Sequence, residues 1–252
     1  MSRIGLGALR LALGRGVPPP EESIALLRRA VDLGVVHIDT AGNYGYGLTQ
    51  AHELIRAALH PYPQELTIAT KIVESNPARV RGAVESDLRR LGVDRLDLVH
   101  LRADRAGEAL GERFAVLAGL REEGLIRDLG VSNVDAAQLD EAQAIGPVAA
   151  VQNQFHIHDR GGADVLARCE KEGITYVPFF PLGGGGTKID PSRLEKTAAR
   201  HGATPAQVAL AWLLAISSVT LPIPGTTKVD HLAENMAAAG LRLTAADLEE
   251  LG

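Results

Sequence analysis

Short apolar segments alternate along the chain with longer segments in which apolar residues recur at helical spacing. Short runs rich in Val, Ile and Leu are typical of buried strands, and the longer segments are typical of amphipathic helices. The predicted strands are 4–9, 35–39, 66–71, 96–100, 126–132, 148–152, 174–179 and 219–224. The predicted helices are 20–34, 49–59, 76–92, 107–123, 135–144, 162–172, 192–201, 205–216 and 229–238, with a last one in TAADLEELG at the C-terminus.

The alternation of strands and helices predicts a parallel α/β fold, because consecutive parallel strands need a helical crossover. Eight such units in 252 residues favour a (β/α)₈ TIM barrel. A doubly wound dinucleotide-binding sheet is the alternative, and it needs G-x-G-x-x-G after the first strand. The chain has only G-x-G in GLGALR, residues 5–10. No linker or shift in composition marks a second domain, so we expect a single barrel domain over 1–252.

Composition restricts the kinds of partner. The formal net charge is −5, and this acidic excess argues against a nucleic-acid partner. The one cysteine, Cys169, has no second cysteine for an internal disulfide, and a metal site built on cysteines is excluded. We therefore expect a cytoplasmic protein. No apolar run has the length of a membrane span, and the N-terminal segment lacks a signal-peptide pattern, so no membrane partner is expected.

Four ionisable residues stand at or just beyond the ends of three successive predicted strands. Strand 35–39 ends at Asp39, and Tyr44 lies in the loop that follows it. The next two strands end at Lys71 and His100. Each residue alone has an ordinary structural explanation, such as a helix cap, loop packing, a solvated strand end or a core histidine. In a barrel the carboxyl ends of the strands form the active-site face, so their joint placement favours one site.

These residue types together are suited to delivering a proton. A phenol has a pKa of about 10, which a neighbouring ammonium lowers, and a carboxylate holds that ammonium in place. A histidine beside the phenol orients a substrate carbonyl by hydrogen bonding. The set has no evident nucleophile, so hydride transfer from a cofactor is its natural partner reaction. The residues also leave open a non-redox barrel enzyme, with Lys71 as a Schiff-base former or a base.

Seven ordered segments resemble the aldo-keto reductase family over nearly the whole chain: DTAGNYGYG, IATK, LDLVHLR, IRDLGVSN, VAAVQNQF, VPFFPLGGG and IPGTTKVDHLAEN. The resemblance implies the catalytic tetrad Asp39, Tyr44, Lys71 and His100, with Tyr44 as the general acid. It implies NADPH-dependent reduction of aldehydes or ketones to alcohols by a monomer that acts on small-molecule carbonyl compounds. An NADP(H)-binding regulatory or sensor barrel with negligible turnover is the alternative within the same family.

The resemblance also implies the residues that hold the cofactor. Those for the nicotinamide end are Ser132, Asn133 and Gln152 at the carboxamide and Phe179 stacked on the ring. Those for the pyrophosphate are Pro181, Leu182 and Gly183 in the run PLGGGG, residues 181–186. Those for the 2′-phosphate and adenine are Gly225, Thr226, Thr227, Lys228, His231, Glu234 and Asn235. Many relatives carry lysine and arginine where this chain has Gly225 and His231, so we expect only a moderate preference for NADP(H) over NAD(H).

Three further features concern the substrate. The N-terminal hairpin of the family is expected to be reduced or absent, and the long C-terminal tail that covers the substrate in many relatives is not expected after TAADLEELG, which predicts an open, loosely specific site. The runs LIRAALHPYP and VPFFPLGGG resemble a bacterial branch with pyridoxal-reductase-like enzymes, so pyridoxal is a candidate substrate. His156 and His158 lack a third ligand at suitable spacing, so no metal is expected.

Overall fold

The structure, a computed structural model, describes residues 3–46, 49–105, 107–184 and 187–252. Its strands are β1 Leu6–Gly7, β2 His37–Asp39, β3 Gly45–Tyr46, β4 Thr49–Gln50, β5 Thr67–Ile72, β6 Leu96–Arg102, β7 Ile126–Ser132, β8 Ala150–Gln152, β9 Thr175–Tyr176, β10 Gly183–Gly184 and β11 Thr187–Lys188. Its helices are α1 Leu9–Ala12, α2 Pro20–Asp32, α3 Ala51–Leu59, α4 Pro77–Leu91, α5 Gly111–Glu122, α6 Ala136–Gln143, α7 Ala163–Glu172, α8 Ser192–His201, α9 Pro205–Ile216, α10 Val229–Ala237 and α11 Ala245–Leu251, with a 3₁₀ turn at Ala238–Gly240.

Within these ranges, one parallel sheet has the strand order β1-β2-β5-β6-β7-β8-β9. Helices α2 to α7 each lie between consecutive strands of this sheet, and α8 to α11 follow β9, so the chain repeats the strand–helix unit that the sequence predicts as far as β9. The two short hairpins, β3–β4 and β10–β11, and the four-residue helix α1 are absent from the predicted elements. The sheet and its helices are consistent with a (β/α)₈ barrel.

Capping residues explain why the helices begin and end close to the predicted positions. Asn76 precedes α4 and accepts a hydrogen bond from the Ala78 N–H at 3.0 Å. Asp135 and Thr204 form capping boxes at the starts of α6 and α9. The side-chain oxygen of a capping residue satisfies a backbone donor that has no partner within the helix. Gly92 ends α4 with a left-handed backbone, φ = 71°, which glycine adopts without steric cost.

The predicted strand 219–224 does not form as a regular strand, and this prediction was wrong. The carbonyls of Pro222 and Pro224 accept hydrogen bonds from the N–H groups of Gly5 and Gly7, at 2.9 and 3.2 Å. Because proline has no N–H group, these two residues cannot donate hydrogen bonds to β1, so half of the backbone hydrogen-bond ladder between the segment and β1 is missing. On its other side the segment donates N–H groups to β9 and the residues after it. Residues 219–224 therefore lie hydrogen-bonded between the two edges of the curled sheet.

The inner face of the sheet is filled by small and medium-sized apolar side chains. They are Ala69, Leu98, Ala150, Val177 and Ile223. The larger apolar core lies on the outer face, between the sheet and the helices. Beyond this inner cluster, polar residues at the carboxyl ends of the strands form the floor of a cavity. None of the helices in the described ranges is long and apolar enough to cross a membrane.

Candidate active site

Three of the four predicted catalytic residues lie side by side on the sheet. Asp39 ends β2, and Lys71 in β5 is directly opposite His100 in β6 in the parallel register. Strand residues two apart share a face, so all three side chains belong to the inner face that carries Ala69 and Leu98. Their exposed fractions are 4%, 4% and 0%, so Asp39 and Lys71 are almost fully buried at the floor of the cavity and His100 is fully buried.

The Lys71 ammonium is held by three short hydrogen bonds. It donates to Asp39 Oδ1 and Oδ2 at 2.7 and 2.8 Å and to the Thr40 carbonyl at 2.8 Å. Gln152 Nε2 donates to Asp39 Oδ1 at 2.6 Å, and Ser132 Oγ donates to Gln152 Oε1 at 3.4 Å. A buried ion pair persists only when its remaining donors and acceptors are satisfied, and this chain of contacts satisfies them. The position of the ammonium is therefore fixed.

Tyr44 lies over this ion pair, in the loop after β2. The Lys71 Nζ atom is 5.1 Å from the centroid of the phenol ring. Burial raises the pKa of Tyr44 above its ordinary value, and this effect outweighs the lowering of the pKa by Lys71. The expected net lowering of the Tyr44 pKa was therefore wrong. A phenol with a raised pKa keeps its proton at neutral pH, which a proton donor requires.

The glycines of the Tyr44 loop have separate structural roles. Gly45 has φ = 140°, which L side chains rarely adopt. A Cβ atom on Gly42 would lie 2.5 Å from Asp87 Oδ1, so only glycine leaves room for that carboxylate. The Gly42 carbonyl also accepts a hydrogen bond from Arg90 Nη1 at 2.9 Å. Gly47, the third glycine of the segment DTAGNYGYG, lies outside the described residues.

A buried polar cluster supports the loop from behind, and sequence reasoning missed it. Thr70 Oγ1 donates to Asp87 Oδ2 at 2.8 Å and lies 3.1 Å from His52 Nε2. His52 Nδ1 lies 3.4 Å from the other Asp87 carboxylate oxygen. The same carboxylate contacts Gly42, so α4 holds both the strand that carries Lys71 and the loop that carries Tyr44.

His100 is a neutral imidazole in a close-fitting space. Burial, followed by the Lys71 charge, lowers the pKa of His100 to about 3. A Cβ atom on Gly130 would lie 2.4 Å from His100 Nδ1, so glycine on β7 makes room for the ring. Among the residues described, neither ring nitrogen makes a hydrogen bond of normal geometry, although the backbone of Val131 acts on the ring and raises its pKa. A neutral ring keeps one donor and one acceptor for a bound molecule.

A cavity of about 950 Å³ extends from these residues. It is in the size range of small-molecule and cofactor sites. The predicted residues that line it are Asp39, Tyr44, Lys71, Gln152, Phe179, Pro181, Leu182, Gly183, Gly225, Thr226, Thr227, Lys228 and His231. Lining residues that sequence reasoning missed include Gly7, Leu9, Arg10, Asn43, Val73, Arg102 and Phe180. Phe180 packs edge-on against Phe179, at 5.4 Å between the ring centroids.

Five of the predicted site residues are not on the cavity wall: His100, Ser132, Asn133, Glu234 and Asn235. Asn133 has φ = 60°, and its Nδ2 donates to the Ala103 carbonyl at 2.9 Å, which ties β7 to the end of β6. The Glu234 carboxylate accepts a hydrogen bond from the Thr204 hydroxyl at the start of α9. Asn235 is buried in α10. The structure therefore gives Glu234 a role in joining α9 to α10.

The far end of the cavity has the chemistry of an anion site. Thr226, Thr227 and Lys228 line it immediately before α10 begins at Val229. A helix N-terminus presents free N–H groups, and Lys228 and His231 add a cation and an imidazole. Thr226 Oγ1 accepts a hydrogen bond from the Lys228 N–H at 3.1 Å, which fixes the turn. These donors fit a phosphate group. Residues 185 and 186 of the glycine run lie outside the described residues.

The model of the Aldo/keto reductase family matches residues 3–252. The chain belongs to the aldo/keto reductase family. It is 44% identical over 265 residues to pyridoxine 4-dehydrogenase of Escherichia coli, covering 97% of this chain and 91% of that one. It is 37% identical to an uncharacterized oxidoreductase of Schizosaccharomyces pombe, covering 100% and 87%. The family predicted from the sequence is therefore confirmed, and the protein is an oxidoreductase of this family.

Solved structures agree with the fold of this aldo/keto reductase. A thermostable aldo-keto reductase in complex with the inhibitor epalrestat superposes with a TM-score of 0.88 at 32% identity, covering 100% of this chain and 94% of that one. An aldo/keto reductase from Klebsiella pneumoniae, in complex with NADP and acetate, has a TM-score of 0.88 at 28% identity, covering 99% and 89%. A further Klebsiella pneumoniae structure, at 29% identity, is a complex with NADPH.

The two histidines considered as metal ligands hold backbone turns in this aldo/keto reductase. His156 Nδ1 accepts a hydrogen bond from the His158 N–H, and His158 Nδ1 accepts one from the Asp190 N–H, both at 3.2 Å. In the part of the chain that the structure describes, no group of three His, Cys, Asp or Glu residues is placed to hold a metal. Cys169 is buried, and burial raises the pKa of its thiol to about 12.

The buried histidines of the barrel are expected to destabilise the protein in acid. Burial lowers the pKa of His37 to about 4, below the value of about 6.5 in an unfolded chain. Between these values the unfolded state binds more protons, so the free energy of unfolding falls as the pH falls. Between pH 6.5 and 4 we expect the wild type to lose on the order of 3 kcal/mol of its free energy of unfolding through His37. His37→Gln is expected to lack this part of the loss.

Urea unfolding at several pH values measures this effect. The free energy of unfolding is plotted against pH for the wild type and for His37→Gln. The difference between the two slopes gives the contribution of the histidine, because acidic groups such as Asp247 titrate in both proteins. Equal slopes for the two proteins would contradict a neutral, buried His37.

Proposed function

We propose that this aldo/keto reductase converts the carbonyl group of an aldehyde or ketone to an alcohol, with NADPH as the hydride donor. The observation that carries the proposal is that one cavity joins a proton-delivery set to an anion site. Asp39, Tyr44 and Lys71 line one end, and Thr226 and Lys228 line the other. The relatives solved with NADP and NADPH support the choice of cofactor.

The lining residues are suited to hold the dinucleotide along the cavity. We assign Phe179 to stacking on the nicotinamide and the carboxamide to Gln152 on the cavity wall, with Ser132 and Asn133 next to Gln152 behind the wall. The segment 181–183 also lines the cavity and is assigned to the pyrophosphate. The 2′-phosphate is assigned to the residues before α10, with Lys228 and His231 as the basic side chains. When bound, the cofactor supplies hydride to the carbonyl carbon of the substrate.

The tetrad would supply the proton. Tyr44 holds its proton at neutral pH and gives it to the carbonyl oxygen as negative charge develops there. The Lys71 ammonium then stabilises the phenolate, and Asp39 keeps the ammonium in place. The neutral His100 donates a hydrogen bond that orients the same oxygen. We also infer that residues 219–224 act as the eighth strand, which closes the barrel around this floor and keeps water from it.

Two alternative functions are less well supported. A Schiff base on Lys71 needs a free amine, whereas its ammonium is held in an ion pair with Asp39 and also donates to the Thr40 carbonyl. A regulatory barrel without turnover needs no proton-delivery set, and this chain carries all four of its members. That the protein is a single domain, a monomer and cytoplasmic stays a prediction from the sequence.

The substrate is proposed from the relatives. The relative from Escherichia coli is named for oxidation of pyridoxine at position 4, and the sequence segments that resemble this branch agree with it. We therefore propose the pyridoxine–pyridoxal pair as the first substrate to test, within a broad panel of aldehydes and ketones.

A spectrophotometric panel run with NADPH and NADH in parallel tests the proposed function. We expect loss of reduced-nicotinamide absorbance with pyridoxal and with small aldehydes, faster with NADPH than with NADH. Tight binding of NADPH with no turnover across the panel would contradict carbonyl reduction and favour the regulatory alternative. Modification of Lys71 by borohydride in the presence of substrate alone would favour the Schiff base.

A further inference from the structure

The cavity is strongly cationic in a chain whose formal net charge is −5. Its wall carries Arg10, Lys71, Arg102 and Lys228. Across the described lining residues, Asp39 is the one acidic side chain, and its carboxylate is already bonded to Lys71. The remaining cations therefore have no acid on the wall to neutralise them, so the cavity attracts anions.

The cations lie at different ends of the cavity. Arg10 packs beside Gly225, with its Cγ atom 4.0 Å from where a Cβ atom on that glycine would stand. It therefore belongs, with Lys228, to the end assigned to the cofactor phosphates. The guanidinium carbon of Arg102 is instead 5.8 Å from the centroid of the Phe179 ring. Its charge also acts on Tyr44, where it lowers the phenol pKa. Arg102 is therefore at the reaction end.

The backbone explains why Arg102 reaches this position. It is the last residue of β6, two beyond His100, so both side chains are on the inner face of the strand. His100 is fully buried, and Arg102 is half-buried one step further along the strand, where it lines the cavity. A group bound to Tyr44 and His100 through its carbonyl oxygen would therefore extend past Arg102.

Arg102 differs from the structural arginines of the chain. Arg113 pairs with Glu108, and Arg127 bonds to Asp97 at 3.0 Å. For Arg102, by contrast, the ranges that the structure describes contain no ion pair and no side-chain hydrogen bond. A partly buried guanidinium with five donors and no acceptor is a recognition group for a carboxylate or phosphate, which it binds with two parallel hydrogen bonds.

We propose that Arg102 binds an anionic group on the substrate, so that the preferred substrates are aldehydes or ketones that carry a carboxylate or a phosphate. This inference rests on the proposed carbonyl reduction, and it adds the substrate class and the residue that selects it. The anion is held at the mouth while the carbonyl lies at the floor beside Tyr44. Phe179 supports the planar guanidinium from one side.

Matched pairs of substrates test the proposal with Arg102→Gln. The carboxylate pair is 4-carboxybenzaldehyde and its neutral isostere 4-formylbenzamide. The phosphate pair is glyceraldehyde 3-phosphate and glyceraldehyde. We expect the ratio of kcat/KM, anionic over neutral, to exceed one in the wild type and to fall about 10- to 100-fold in the variant. The pair with the larger fall identifies the anion. Arg105→Gln, an exposed arginine that does not line the cavity, is expected to keep the wild-type ratio.

Equal loss of rate for both members of a pair would assign Arg102 a structural role and overturn the proposal. A wild-type ratio near one for both pairs would overturn it as well. If the wild type reduces neither these four compounds nor any member of the wider carbonyl panel, the proposed function fails separately. Calorimetric binding of 4-carboxybenzaldehyde and 4-formylbenzamide to the NADP-loaded protein then decides the role of Arg102. Tighter binding of the carboxylate that is lost in Arg102→Gln supports it, and equal binding refutes it.

Discussion

Tyr44→Phe is expected to lower kcat for carbonyl reduction by about 10²- to 10⁴-fold, the range for loss of a positioned proton donor. The change removes the phenol oxygen and leaves the ring that packs over Lys71. Because the tetrad is separate from the far end of the cavity, NADPH binding is expected to persist. Steady-state kinetics on the best substrate of the panel, with NADPH binding measured by fluorescence, checks both expectations.

Tyr62→Phe is the matched control for the loss of a phenol oxygen. The Tyr62 hydroxyl donates to the Leu91 carbonyl at 2.6 Å, away from the cavity. Its loss is expected to reduce the free energy of unfolding by about 1 kcal/mol and to leave kcat unchanged. Turnover by Tyr44→Phe at the wild-type rate would rule out Tyr44 as the general acid.

The fold could be predicted because its signals are local. Apolar periodicity indicated each long helix, and local capping residues such as Asn76 and Thr204 determine where two of them begin. The error at 219–224 came from the same approach, since apolar, β-branched residues favour a strand while the two prolines remove half of its ladder donors. The short hairpins also escaped prediction, because two-residue strands are below the length at which alternation becomes visible.

Only the site residues that lie at predicted strand ends or within family motifs could be predicted from the sequence. The bond between Gln152 and Asp39 joins residues 113 positions apart, and no local pattern indicates it. The room that Gly130 makes for His100 depends on the register of β6 and β7. Arg102 was missed because an arginine at a strand end is usually solvated, and its isolation from acids is visible only in three dimensions. The net pKa of Tyr44 depends on burial, which a sequence does not quantify.

Lys71→Met is expected to reduce both stability and turnover. It removes the ammonium and leaves Asp39 as a buried carboxylate with the Gln152 amide as its remaining side-chain donor among those described. Breaking a buried ion pair from one side typically costs about 3–5 kcal/mol. The exposed pair of Arg81 with Glu123 provides the control, because Arg81→Met is expected to leave the free energy of unfolding nearly unchanged. Urea unfolding at pH 7 measures both variants.

The double variant Asp39→Asn with Lys71→Met separates stability from catalysis. A neutral amide in place of the unpaired carboxylate is expected to restore most of the stability that Lys71→Met loses, because the buried charge is gone. Turnover is expected to stay low, by about 10²-fold or more, since no ammonium stabilises the Tyr44 phenolate. If the double variant were as unstable as Lys71→Met, the loss would come from packing around residue 71. If it regained wild-type turnover, the ion pair would have no part in proton delivery, and Tyr44 would need another source of support.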